Sequence, residues 1–455
     1  MDRNPSAATP TRKLSRRRIL RSGAAAASLT AIASLLPVAG AGCSQIGLAP
    51  KKKMTVWIIR SFAPPADEVL LGHVDKWGKE KGLDLEVVAE IEEPTLNQRL
   101  MAAVESKQLP DICEISGGRI TLHYPAKVFE DVSALYAEIG KQYGGWFKVA
   151  DQTATIDGKQ WAIPFSIDSS LMHYRKDILD KKGLKIPETW DEYVETMKKA
   201  QEPPKTYGAG IALSKGATDC EGTFKLMMYS FGATWCDQTG QKITINSAET
   251  RKFLDFVANT MYKAGIFPPD AMSWDNASNN GAYQNETAIT VHNPASILVW
   301  CLDNKPELGR NTAIAGLPKG PTGKSFNSAG VRVGWAIFNT TPKDKQDLAA
   351  DWIKWVYQKE QYEPWIAKAF AAPPVAKYEQ MEVWKDPQRA GFLEAAKTGI
   401  MGGYPGPLTP ASAELDSRVP TISMILRVLV DKWSIDQAVE EAEKVAKDIY
   451  GKYYK

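Results

Sequence analysis

An α/β fold in two domains is predicted by three features of the chain. Short β-rich runs alternate with amphipathic helical patterns from residue 54 onward, the signature of strands joined by helices. Two of those helices open with complete capping-box sequences. At 455 residues, 44% of them hydrophobic, the chain can bury a large core but exceeds one ordinary domain.

Met54–Ile59 reads as the first strand, broken by the loop Arg60-Ser61-Phe62-Ala63-Pro64-Pro65. Val69, Leu70, Val74 and Trp77 recur at helical spacing, followed by a strand from Leu83 to Ile91 and a helix around Leu96–Val104. Pro110–Ile115 is a third short apolar strand, ending in Ser116-Gly117-Gly118. Alternation of this kind predicts a largely parallel sheet with crossover connections. In such sheets ligands sit beyond the carboxyl ends of the strands, which singles out residues 60–62 and 114–119.

Asp157-Gly158-Lys159-Gln160 is a turn leading into Trp161–Phe165, a crossing between domains, after which Leu171–Tyr174 begins a new strand. Thr189-Trp190-Asp191-Glu192 predicts a helix from Trp190 to about Ala200. Further helices are expected at 223–231, 248–264 and 343–358, with Pro342 in a first-turn position. Strands are expected at 288–291 and 335–338. Ser434-Ile435-Asp436-Gln437 starts a terminal helix whose apolar residues, from Ile435 through Val439 to Ile449, keep the 3.6 period.

Charge narrows the partner. The chain holds 56 Lys+Arg and 53 Asp+Glu, and residues 1–42 account for seven of the bases and one of the acids. The remainder carries 49 basic against 52 acidic residues, so it has no field to hold polyphosphate, and nucleic acid is excluded as a partner. Beyond residue 42 there are five cysteines. The last four, Cys113, Cys220, Cys236 and Cys301, allow three pairings; Cys220 and Cys236 are the closest pair, and four buried free thiols are the alternative. No cysteine pair has the spacing of a metal knuckle, and no phosphate loop, nucleophile elbow, His-Glu-x-x-His or dinucleotide fingerprint occurs, so the sequence implies no cofactor.

The first 42 residues have the layout of an export signal: a basic stretch from Arg12 to Arg21, an apolar run from Gly23 to Leu36, then small residues. That run is too short to make a stable membrane span. Ser15-Arg16-Arg17-Arg18-Ile19-Leu20 resembles a twin-arginine motif, which implies export in a folded state. Ala39-Gly40-Ala41-Gly42-Cys43 resembles a bacterial lipobox with Gly40 at the usual leucine position; it implies lipidation of Cys43, with residues 43–53 as a tether.

Fourteen Trp and 16 Tyr, several of them at loop positions, suit a sugar, whose C–H faces stack on rings while its hydroxyls need directional partners. Five segments in order resemble the carbohydrate-binding group of ABC-importer solute-binding proteins, which includes maltodextrin-binding proteins. They are Leu109–Ile112; Asp157–Pro164; Tyr174–Asp177 with Ile186–Tyr193; Glu286–Val291; and the helix Ile435–Ile449.

The resemblance implies a two-lobed, type II periplasmic-binding-protein-like fold, each lobe a mixed sheet flanked by helices, joined by a multi-strand hinge. Lobe one would hold 54–163 and 331–380, and lobe two 164–330 and 381–455, with the second crossing at Gly330–Gly334. It implies a monomeric, lipid-anchored extracytoplasmic receptor, not an enzyme, that delivers a sugar or polyol to ABC permease subunits. The ligand-binding residues it implies are Arg60, Phe62, Glu114, Ser116, Arg119, Asp168, Tyr229, Trp235, Asn293, Trp335 and Tyr404. Alanine stands at position 295, where the family usually has a stacking tryptophan.

Overall fold

The computed structural model describes residues 51–60, 63–90 and 93–454. Eleven strands run through them: β1 (Lys53–Ile59), β2 (Asp84–Glu90), β3 (Ile112–Ile115), β4 (Thr155–Ile156), β5 (Lys159–Gln160), β6 (Ile163–Asp168), β7 (Leu171–Arg175), β8 (Tyr207–Ala209), β9 (Ala288–Asn293), β10 (Thr312–Ala315) and β11 (Gly330–Ile337). The leader, with the twin-arginine and lipobox segments and Cys43, lies outside the described residues.

Two sheets form two lobes. The first has strand order β2-β1-β3-β11-β6 and the second β10-β7-β9-β8; β4 and β5 make a separate hairpin. β1 runs parallel to β2 and β3, whereas β11 is antiparallel to both β3 and β6. In the second sheet β7 is antiparallel to β9 and β10, and only β8 and β9 are parallel. The expectation of largely parallel sheets is therefore corrected. Crossover helices set the parallel direction of β1, β2 and β3, but β11 enters their sheet on the way back from the second lobe and so runs the other way.

The local signals translate directly. Thr189 and Ser434 each accept the backbone N–H of the third helical residue, whose side chain returns the bond, so both capping boxes form. Helix Pro64–Glu80 buries Leu70, Val74 and Trp77 on one stripe. Elsewhere tertiary packing moves the boundaries. The helix expected at 223–231 starts at Thr218, and that expected over 248–264 becomes a π-helix from Phe256 to Tyr262. Pro342 is the residue before the first turn of helix Lys343–Val356, and the strand at 335–338 begins at Gly330.

The chain leaves the first sheet at Ser169-Ser170, between β6 and β7, and returns between β10 and β11. β6 is fixed to its lobe by aromatic residues packed behind it: the Tyr357 hydroxyl donates to the Pro164 carbonyl, and the Tyr362 hydroxyl to the Phe165 carbonyl at 2.8 Å. Trp335 on β11 meets Trp352, which meets Trp77, each pair edge-to-face with centroids 5.5 Å apart. One face of the first sheet therefore rests on a ring stack that spans helices Pro64–Glu80 and Lys343–Val356. Among the described residues no helix is long and apolar enough to cross a membrane.

Candidate functional site

β1, β3 and β11 converge on a crevice of about 620 Å³, solvent-open space included. It is lined by Asp67, Glu114, Ser166, Asp168, Ser169 and Arg332 from the first lobe and the hinge, and by Pro294, Ala295 and Ser296 from the second-lobe segment after β9. Trp365, Phe370 and Phe392 supply apolar wall.

Each polar group is placed by an identifiable local feature. Asp67 sits in the first turn of helix Pro64–Glu80, where the helix dipole favours a carboxylate, and is 4.0 Å from the Arg60 guanidinium. Glu114 is the penultimate residue of β3 and 1% exposed; its Oε2 accepts the Ile59 backbone N–H at 2.9 Å. Burial pushes its carboxyl up to about 8, against the pull of the Ile59 N–H and Arg332, while Asp67 adds to the rise.

Arg332 owes its position to irregular pairing. Val331 faces Ile167 and Val333 faces Ser166, so Arg332 is the extra residue of a β-bulge. A bulge frees one side chain from the pleat and re-aims it. Here the guanidinium donates to Asp168 at 2.9 Å on the crevice wall. Phe370 stands at φ +56°, a left-handed conformation that costs strain for a side chain of this size, and its ring carries the Arg389 guanidinium 3.2 Å from the centroid.

The hydroxyls of Ser166 and Ser169 are buried and make no hydrogen bond within the protein. Buried polar groups are almost always partnered, and of the described side chains left without a partner these two share the lining of one crevice.

A second groove of about 950 Å³, solvent-open space included, runs between Ser116–Leu122 with Thr153 on the first lobe and Met401, Gly402, Leu408 and Asp416 on the second.

Of the residues named from sequence, Glu114 and Asp168 line the crevice, Arg60 buttresses Asp67 in its wall, and Ser116 and Arg119 line the second groove. Phe62 lies outside the described residues.

The others are corrected. Tyr229 is in the second-lobe core, 5.1 Å from the ring of half-buried Tyr404, and neither lines the crevice or the groove. Trp235 is buried and its indole N–H donates to Thr421. Asn293 is occupied by Asp219 and Asn280, at 3.0 and 2.9 Å. Trp335 is fully buried on the core face of β11. For Tyr229, Trp235, Asn293 and Trp335, burial of a large or well-bonded side chain outweighs the position in sequence, and Tyr404 packs on Tyr229 and Phe326 instead.

The described cysteines are free. Cys220 lies in the first turn of helix Thr218–Ser230, and Cys236 beyond its far end, where its thiol meets the Gly403 carbonyl. From Cys220 to Ser230 the helix carries the chain about 15 Å along its axis, and the expected Cys220–Cys236 disulfide is corrected to two buried free thiols.

Asp67, Ser166, Ser169 and Arg332 escape the sequence reading. The one available signal was a lone arginine in the otherwise small and apolar run Gly330-Val331-Arg332-Val333-Gly334.

Comparison with known proteins agrees with this architecture. Residues 61–363 match the family model of the bacterial extracellular solute-binding protein. The chain is 27% identical over 237 residues to the arabinooligosaccharide-binding protein of Halalkalibacterium halodurans, covering 51% of this chain and 50% of that protein. It is 26% identical over 256 residues to the mannitol-binding protein of Pseudomonas aeruginosa, covering 55% and 51%. The chain thus spans about half the length of these curated relatives. Maltose-bound T. maritima MalE3 superposes with a TM-score of 0.75 at 20% identity, over 87% of this chain and 99% of that one. With a family match across two thirds of its length and two mixed-sheet lobes joined by a strand hinge, the chain belongs to the bacterial extracellular solute-binding proteins.

Proposed function

We propose that this protein is the extracytoplasmic receptor of an ABC importer, capturing a sugar or related polyol in the crevice between its lobes and passing it unaltered to the permease. The observation that carries the reading is the pair of orphaned hydroxyls, Ser166 and Ser169, set among carboxyl and guanidinium groups in a crevice walled by both lobes. A polyhydroxylated guest offers donors and acceptors to such a lining and apolar C–H faces to Trp365 and Phe370. The arabinooligosaccharide-binding and mannitol-binding relatives and the maltose-bound structure support this class of solute.

Closure must be driven by contacts that exist only when both lobes touch the guest, since a ligand with equal affinity for open and closed forms shifts nothing. In this reading the lobe built on β1, β2, β3, β6 and β11 moves against the lobe built on β7 to β10, and the chain flexes at the Ser169-Ser170 connection, because β6 and β11 stay paired as far as Asp168 and Gly330. The protein works as a monomer, exported by the twin-arginine route and lipid-anchored through Cys43.

Calorimetry or thermal-shift screening against uncharged mono-, di- and oligosaccharides and polyols tests the solute class; saturable binding is expected, and no hit across the panel overturns it. Recovery of the bound solute chemically intact separates capture from hydrolysis, for which Glu114 and Asp168 would be the carboxyl pair.

A further inference from the structure

We propose that Glu114 is held as a neutral carboxylic acid in the crevice and donates a hydrogen bond to an oxygen of the solute, so that the site selects uncharged polyols and its affinity falls in alkaline solution. The inference deepens the solute-receptor reading and rests on it.

The argument is one of charge and place. Five ionisable groups meet here: Arg60 at the end of β1, Asp67 on helix Pro64–Glu80, Glu114 on β3, Asp168 on β6 and Arg332 on β11. The second-lobe residues Pro294–Ser296, and Ala369–Ala372 behind them, bring none. Arg332 is engaged with Asp168 and Arg60 with Asp67, so the two cations are matched by two other acids. Glu114 is the most deeply buried of the acids in this set and the one without an ion pair of its own; the charge of Arg332 favours its ionised form from beyond pairing distance, and the carboxylate of Asp67 opposes it.

Its stabilising contacts are too few for an isolated buried carboxylate, which ordinarily needs a dedicated cation or several N–H donors. One N–H, that of Ile59, reaches it. Burial correspondingly lifts its titration to about 8. With Glu114 neutral, the five groups sum to zero charge; with it ionised, they sum to one negative charge and the Glu114 O–H donor is gone. An uncharged polyol, rich in acceptor oxygens, gains from the first state and loses in the second.

The test uses the full chain with mannitol, maltose and then a panel of uncharged saccharides as probes. The wild-type protein should bind a probe about thirty-fold more weakly at pH 9.5 than at pH 6 if the acid form alone is competent. Glu114→Gln keeps a neutral donor of the same shape but has no proton to lose, so whatever its affinity at pH 6, that affinity should be flat with pH. In infrared difference spectra of glutamate-labelled protein, the carbonyl band of a protonated acid should be present at pH 6, fade on alkalinisation and be missing in Glu114→Gln. Binding of a probe with flat affinity in the wild type, or the absence of that band at pH 6, overturns the proposal and leaves the receptor reading standing. No binding by any probe despite the band overturns the donor role together with the uncharged-solute reading.

Discussion

Glu114 and Glu221 are both fully buried glutamates, one in each lobe, and the protein treats them in opposite ways. Glu221 lies on helix Thr218–Ser230 and accepts the N–H groups of Thr421 and Ile422, at 3.1 and 2.8 Å, at the start of helix Pro420–Leu429. The half-buried ammonium of Lys225, itself 2.9 Å from Asp416, adds its positive charge. Burial still raises the Glu221 carboxyl, but Lys225 and the two amide groups oppose the rise. Every element of this arrangement belongs to the protein, so its role is to join helices. Glu114 has one backbone donor and opens onto a crevice with two unpartnered hydroxyls. Incomplete compensation, rather than burial or charge alone, sets the crevice carboxyl apart from the one that joins helices.

The sharpest way to break the comparison is to remove the compensation in the second lobe. Lys225→Met should destabilise the protein by about 1.5–3 kcal/mol in chemical denaturation, because Asp416 loses its ion-pair partner and Glu221 a nearby cation. A loss below about 1 kcal/mol would mean that Glu221 does not depend on it.

The next effect is a slope with pH. Glu114 holds its proton more tightly when folded, up to about 8, than in the unfolded chain, where a glutamate titrates near 4.3. Its contribution to stability is therefore complete below about pH 4 and is lost as pH rises to about 8, at no more than about 1.4 kcal/mol per pH unit. Denaturation of wild type and Glu114→Gln side by side should show a steeper decline in the wild type by this amount; parallel curves would place the proton elsewhere.

Arg332→Ala comes third. Its ion pair with Asp168 is partly solvated, so folding should lose less than about 1 kcal/mol. Solute affinity should fall about tenfold or more by calorimetry, since the crevice keeps Asp168 without its partner. A variant that unfolds instead would recast the bulge as a folding element. The smallest expected change is Ser169→Ala. Its hydroxyl makes no bond within the protein, so the melting temperature should be unmoved while solute affinity drops by about 0.5–1.5 kcal/mol.

Much of the fold was legible because it rests on local chemistry. The capping boxes at Thr189 and Ser434, the period of Ile435–Ile449 and the β-rich run at 54–59 each work within a few residues. Strand direction was not legible, since β11 runs antiparallel for a reason that lies two hundred residues away from β3. The site divides the same way. Glu114 and Asp168 were found because strand ends face the crevice. Trp235 and Trp335 were misplaced because a tryptophan near a strand end reads the same whether it faces solute or core. Arg332 was missed because a bulge depends on the register of two strands, a property neither strand carries alone.

The interior position of β11 in the first sheet has a consequence for biosynthesis. Until the ribosome has emitted residue 337, β3 and β6 have no strand to lie between them, and the nascent amino-terminal half presents two open edges. The first lobe therefore cannot finish before most of the second has been translated, and any chaperone that guards this chain must hold it through that interval.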